Sequence, residues 1–548
     1  MKDNTNVEEE QLTEEKTEAV SDDKTDETHL EKGVEKKKSS AGIILCFVII
    51  ALLIVAIICI LVSQNKKGET TKTGNEKKGY LSEYRMSGNA LENFDLYFMQ
   101  LENNGKNKVY SPLSIKYALG MLSDGAQGES KKQIDAVIGD YKPKAYPNNE
   151  HMSFANAMFI RNSIKDDVKS SYTDLIKSKY NAEVVYDDFN TPDAMNDWIS
   201  SKTLKLIENL VDQDTVDNHQ FFLINALAID MNWVNLIQCA PTSTNLPCKH
   251  YGVHYIHEKY SDYVPEIYSN DDYPAMTFNG KDNIKSVTIG ASFNNYDIVK
   301  ELGEENIRKT VGEDYKEFLA KGGCGNDLDV ESYLNKYIEE INSNYHQEDS
   351  STDFYLYDDD SVKMFAKDLR EYDGMTLQYV GIMPKNDSLQ DFIQNTDAKK
   401  ISTLVGSLKE LKYSNFKEGV ITKVKGSIPL FNYEYELDLE SDLKSLGIED
   451  IFDSSKINIK NLLNKTPDDM VISAAHKANI EFSNEGIRAA AVTMLGGGGA
   501  AGCSYNYDYE VPVEEIDLTF DKPYMYIIRD KATGEVWFVG TVYEPTVK

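Results

Sequence analysis

The chain has 548 residues and a formal net charge of −32, with 90 acidic against 58 basic side chains. A surface this acidic repels phosphate backbones, which speaks against nucleic acid as a partner. The length allows a few domains, or one large domain with appendages.

Residues 1–40 contain no aromatic residue and are rich in Glu, Asp, Lys and Thr. That composition cannot bury a core, and a disordered acidic tail is expected. Ala41–Val62 carries no charge and is long enough to cross a bilayer as a helix, for which about 20 apolar residues suffice. A transmembrane signal anchor over 41–63 is expected, because the apolar run is too long for a cleaved signal and no small-residue cleavage site follows. Lys36, Lys37 and Lys38 before it and Lys66 and Lys67 after it give only a slight bias in orientation. Residues 64–80, rich in Lys, Gly, Thr and Asn, read as a spacer ahead of a globular part over 81–548.

Apolar residues at Phe94, Leu96, Phe98, Met99 and Leu101 suit a helix with one buried face. A short strand follows to Tyr110. Ser111 then offers a helix N-cap, with Pro112 at the first helical position, where its missing N–H costs nothing. Strands are expected near 154–160, 181–189 and 221–229, and helices near 168–180 and 194–210. Asn225 is the one polar residue inside the apolar run 221–229. A buried amide needs a partner, and His476, on another expected strand, is a candidate.

From about 234 to 360 the chain is rich in Tyr, Asp and Asn, and an insertion is expected in this stretch, helical and acidic over 300–345, with sheet strands at Tyr273–Phe278 and Ser286–Ile289. Within it Cys248, His250, His254 and His257 are potential zinc ligands, but their spacing fits no common finger, and no metal site is assigned. Cys239 and Cys248 are alternatively close enough in sequence for a disulfide if the domain is extracellular.

Near the carboxyl end a strand closing at Phe482 runs into Asn484, Glu485, Gly486, Ile487, Arg488, Ala489, Ala490, Ala491, Val492 and Thr493, and four consecutive glycines soon follow. Side chains this small fit either an exposed loop or the crowded interior of a sheet. The residues His476-Lys-Ala before it, this Glu-Gly-x-x-Ala-Ala-Ala-x-Thr run, the Gly540-x-Val-x-x-Pro545 motif after it, and Ser111-Pro-Leu-Ser-Ile115 far upstream together resemble the serpin family.

The resemblance implies an α+β serpin fold, with mixed sheets, about eight to nine helices and an exposed reactive loop. It implies structural roles for Ser111, Ser114, Asn225, Trp233 and His476, at the points where a central sheet parts. It makes 485–493 the loop hinge and Ala500–Ala501 the reactive bond, fourteen residues past the hinge glycine Gly486. Alanine there implies a serine protease with a small apolar pocket, elastase-like or subtilisin-like. Ile487, Ala489, Ala491 and Thr493 would share the inward face of an inserted strand, and none is charged.

Four features depart from the family. Asn484 stands where inhibitors carry Glu, Ile487 where Thr or Ser is usual, and Lys205 where Gly is usual. The loop is also longer, which leaves Cys503, Tyr505 and Tyr507 as further positions for the bond. No nucleophile elbow, phosphate loop or triad is present, Ser111 and His476 falling in buried segments, so neither an enzyme nor a cofactor is expected. The expected function is a suicide-substrate inhibitor of serine proteases, tethered to a membrane with its amino terminus inside and the serpin domain extracellular. The alternative is a non-inhibitory binding module that contacts a ligand or partner through the insertion.

Overall fold

A computed structural model describes residues 92–234, 273–322, 328–345, 353–467, 472–487 and 511–546, save positions 140, 473, 475 and 485, together with Ile237, Met470, Tyr507 and Glu510. The expected tail, membrane span and spacer lie outside the described residues, as do Cys239, Cys248, the three histidines near it and Cys503. Among the described residues no helix is long and apolar enough to cross a membrane.

The chain begins with α1 (Asn93–Leu101), β1 (Lys108–Tyr110), α2 (Pro112–Gly125) and α3 (Gly128–Ile138). Ser111 caps α2 as expected, its Oγ accepting from the Ser114 N–H at 3.1 Å. Then come β2 (Met152–Arg161), α4 (Ser170–Tyr180), β3 (Ala182–Asp187), α5 (Asp193–Lys202), α6 (Gln213–Asn218), β4 (Phe221–Ile229) and β5 (Met231–Asn232). After 273 the elements are β6 (Ala275–Phe278), β7 (Lys281–Asn294), α7 (Ile298–Leu302), α8 (Glu304–Ala320), α9 (Val330–Tyr345), β8 (Phe354–Asp358), β9 (Val362–Asp368) and β10 (Leu377–Pro384). The last part holds α10 (Leu389–Gln394), α11 (Ala398–Gly406), β11 (Lys409–Glu410), β12 (Ile421–Pro429), β13 (Phe431–Leu437), α12 (Leu439–Ser445), β14 (His476–Phe482), β15 (Gly486–Ile487), β16 (Val513–Asp517), β17 (Tyr524–Asp530) and β18 (Val536–Val542).

The strands form four sheets, ordered β1-β18-β17-β10-β9-β8-β11, β16-β12-β7-β6, β13-β14-β15-β5 and β3-β2-β4. In the first, β9, β10 and β18 are buried along their whole length; β9 buries Lys363, Lys367 and Asp368 along with its apolar residues, whereas β18, covered on both faces, reads as a near-continuous apolar run. Gly540 shows why that run tolerates no side chain at its centre. A Cβ there would lie 2.2 Å from the Tyr526 hydroxyl and 2.4 Å from the Lys108 carbonyl oxygen. Helix α2 packs between β18 and β4, which explains why Ser111, Ser114 and Lys116 are buried along with its apolar residues.

One expectation changes. The helix expected over 194–210 stops at Lys202, because Leu204 and Lys205 take left-handed backbone with φ of 53° and 62°. The following chain lies over β2 and β4, with Ile207 and Val211 buried in one cluster with Ala157 and Phe159. Within 234–360 the expected strands near 273–278 and 286–289 are present as β6 and β7, which join β12 in a sheet, and β8 pairs with β9, leaving α7 to α9 as a helical unit between them. Twelve α-helices occur among the described residues; three of them form that unit, and the other nine agree with the expected eight to nine.

Candidate functional site

Strand β14 pairs with β13 over seven residues, Phe431↔Phe482 to Leu437↔His476. Its other edge is paired at one point, Phe482↔Ile487. Ile487 and Gly486 in turn face Met231 and Asn232 of β5, the continuation of β4. A strand held between two others separates them by two interstrand steps, about 10 Å. Among the described residues no ladder joins β14 to β4 below this point, so the two edges bound a slot whose upper end is one strand wide. A cavity of about 330 Å³ occupies it, lined by Ser111, Ser114, Asn225, Ile480, Ile487 and His476 among others.

The upper end of the slot is shaped by backbone packing. A Cβ on Gly486 would sit 2.2 Å from the Met231 carbonyl oxygen and 2.7 Å from the Asn232 Cα, so only glycine allows the chain this close. Ser483 closes the turn before it: its Oγ accepts from the Gly486 N–H at 3.2 Å and donates to the Gly486 carbonyl at 3.0 Å. The fully buried Trp233 donates its indole N–H to the Ser483 carbonyl at 3.0 Å and meets Tyr379 and Phe482 edge-on. Arg370 holds Trp233 in turn, Nε donating to its carbonyl at 3.1 Å. Asn484 is fixed on both sides: Tyr273 donates its hydroxyl to the Asn484 Oδ1 at 2.9 Å, and the Ile237 N–H donates to the Asn484 carbonyl at 2.8 Å. Ile487 is 3 % exposed within the main core, so its bulk has a seat.

The lower end joins α2 to β14. The Ser111 N–H donates to the His476 Nε2 at 2.9 Å, and burial pushes the imidazole pKa down to about 4. His476 is therefore neutral at pH 7, its Nε2 an acceptor. The expected Asn225–His476 bridge is not formed. The two residues stand on opposite edges of the slot, and Asn225 instead donates to the Asn156 Oδ1 at 2.7 Å, while Asn156 donates to the Tyr180 carbonyl at 2.8 Å. Asn156 carried the same signal as Asn225, a lone amide in an apolar run, and sequence reasoning passed over it. Tyr273 and Arg370 gave no local signal, since only the tertiary fold brings them to the slot.

Ser111, Ser114, Asn225, His476 and Ile487 thus line one cavity, while Gly486, paired with Asn232, and Trp233, bonded to the Ser483 carbonyl, lie beside Ile487 outside the lining. Glu485, Arg488, Ala489, Ala490, Ala491, Val492, Thr493, Ala500 and Ala501 lie outside the described residues. A family model described as "Serpin (serine protease inhibitor)" matches residues 90–245 and 345–545. The chain belongs to the serpin family. Neuroserpin of Mus musculus is 23% identical over 462 residues, 80% of this chain and 86% of that protein. The native state of a thermophilic serpin, tengpin, superposes with a TM-score of 0.53 at 19% identity, covering 87% of this chain and 96% of tengpin. Thyroxine-binding globulin in complex with thyroxine gives a TM-score of 0.53 at 17% identity, with 84% and 99% covered. The family match leaves 246–344 unassigned, the stretch that holds β6, β7 and α7 to α9.

Proposed function

We propose that this serpin is a suicide-substrate inhibitor of serine proteases. One observation carries the reading: the slot between β4 and β14, one strand wide at its upper end, where Gly486 and Ile487 are seated as the first rungs of a strand. A protease that attacks a loop carbonyl forms an acyl-enzyme and releases the carboxyl-terminal side of the loop. The acylated segment continues the ladder that β15 begins, pairs with β4 and β14, and carries the protease with it. A displacement near 1 Å in the protease's active site already costs about 100-fold in deacylation. The native state is then held by a barrier, since the full ladder is the lower free energy. Ala500–Ala501 is the proposed bond, and an elastase-like or subtilisin-like protease the proposed target. The uncharged run Ala41–Val62 supports anchoring in a membrane, amino terminus inside, which puts the serpin domain with its target outside.

Incubation of the full chain with elastase-, subtilisin-, trypsin- and papain-like proteases, followed by denaturing gels and sequencing of the released fragment, tests this. A covalent band with an elastase- or subtilisin-like enzyme and a fragment starting at Ala501 is the expected outcome. Complete cleavage without a covalent band would rule out the trap. That result would favour the second reading, a binding module with an inert loop, to which the likeness to ligand-bearing thyroxine-binding globulin lends support.

A further inference from the structure

The helices α7 to α9 have a core of their own, separate from that of the main sheets. Ile307, Val311 and Tyr315 of α8 are buried against Tyr333, Leu334 and Ile338 of α9. Tyr315 and Tyr333 stack at 4.0 Å between ring centroids. Gly312 lets the helices close up, a Cβ there lying 3.2 Å from the Leu334 Cδ1. Besides Tyr296, just before α7, two buried members of this cluster come from distant parts of the chain: Ile421, which opens β12, and Val511, which lies just before β16.

Val511 belongs to the carboxyl-terminal stem of the reactive loop. The stem is held at successive points. The Tyr337 hydroxyl of α9 donates to the Tyr507 carbonyl at 3.2 Å. Tyr507 packs against the helical cluster, and Val511 is buried in it. The Ile421 N–H donates to the Pro512 carbonyl at 2.9 Å, and Val513 then enters the parallel ladder opposite Ile421. A protease cleft takes up a substrate as an extended strand, with residues on both sides of the bond pulled free of their own packing. The segment from Tyr507 to Val513 meets that condition only if Val511 leaves the cluster and the two carbonyl contacts break.

We propose that the α7–α9 unit is a positioning element for the reactive loop. By clamping the stem at Tyr507 and Val511 it withholds the bond after Tyr507 from proteases and confines attack to the amino-terminal side of the clamp. Tyr507 would suit a protease with an aromatic specificity pocket, so the clamp removes one bond that such an enzyme would otherwise cut. The proposal goes beyond the inhibitory reading and does not depend on it, since it concerns where the loop is cut and not whether the cut loop inserts.

Digestion of the full chain with chymotrypsin, with sequencing of the new amino termini over time, tests it. The wild type is expected to show no early cleavage after Tyr507. Val511→Asp, which places a charge in the cluster, is expected to speed that cleavage at least about tenfold, because proteolysis follows the population of the open stem. Tyr337→Phe, which removes one hydroxyl and leaves the packing, is expected to speed it by a smaller factor and guards against a misfolded Val511→Asp. Rapid cleavage after Tyr507 in the wild type, or equal rates in all three proteins, would overturn the proposal. A covalent complex on the same gels reports separately on trapping.

Discussion

Lys205 is exposed and adopts φ +62°, with its N–H still donating to the Ser200 carbonyl at 2.9 Å. A left-handed backbone costs a non-glycine residue about 1–2 kcal/mol, partly offset because glycine loses more freedom on folding. Lys205→Gly is therefore expected to stabilise the protein by about 1 kcal/mol, read as a higher urea midpoint. An unchanged or lower midpoint would mean that the turn after α5 does not need this conformation. The neighbouring Leu204 shares the conformation but is half-buried, so the same change there would also remove packing. Gly486 shows the opposite case, a position where the family's glycine is kept because backbone atoms of β5 leave no room for a Cβ.

At the scale of the element, the tie between α2 and β14 rests on a neutral imidazole. His476 has its pKa lowered by burial to about 4, against about 6.5 in an unfolded chain. Between those values the unfolded state binds the proton more readily, so this group's contribution to stability is complete above pH 6.5 and falls as the pH drops toward 4. Lowering the pH from 7 to 5 should cost about 2 kcal/mol through this residue. Denaturant unfolding at both pH values, for the wild type and His476→Gln, measures it. The variant should lose less stability over that interval, and equal losses would show that His476 is not held neutral. The elements themselves were largely legible in the sequence. Ser111 and Pro112 mark the start of α2 by their chemistry, and the alternation in β14 buries Ala478, Ile480 and Phe482. The end of α5 was not legible, because Thr203 to Val211 is amphipathic enough to continue a helix and only packing on β2 and β4 draws it away.

For the whole molecule, the slot predicts how a single charge acts. Ile487 is buried between β14 and β5 and lines the cavity that a longer strand would fill. Ile487→Arg would bring a guanidinium into this apolar seat, where an unpaired charge is strongly disfavoured. The variant is expected to be cleaved by the target protease without a covalent band, and its cleaved form to show no rise in thermal stability. Persistence of the covalent complex would mean that trapping does not proceed through the slot.

Sequence by itself determined the family, since its motifs combine residues that each have a local reason: a capped helix start, a hinge of small side chains, a glycine with no room for a Cβ. The resemblance also implied structural roles for Ser111, Ser114, Trp233 and His476, and Asn225 stood out by itself as a lone amide in an apolar run that must find a partner inside. Only the tertiary structure decided who their partners are. Asn225 pairs with Asn156 and not with His476, because the slot separates β4 from β14. Likewise the acidic helices of 298–345 gave no sign in sequence of where they dock; Ile421 and Val511 decide that, each contributing one apolar side chain from a distant part of the chain. Contacts of that kind are set by the register of whole sheets, which no local pattern of residues encodes.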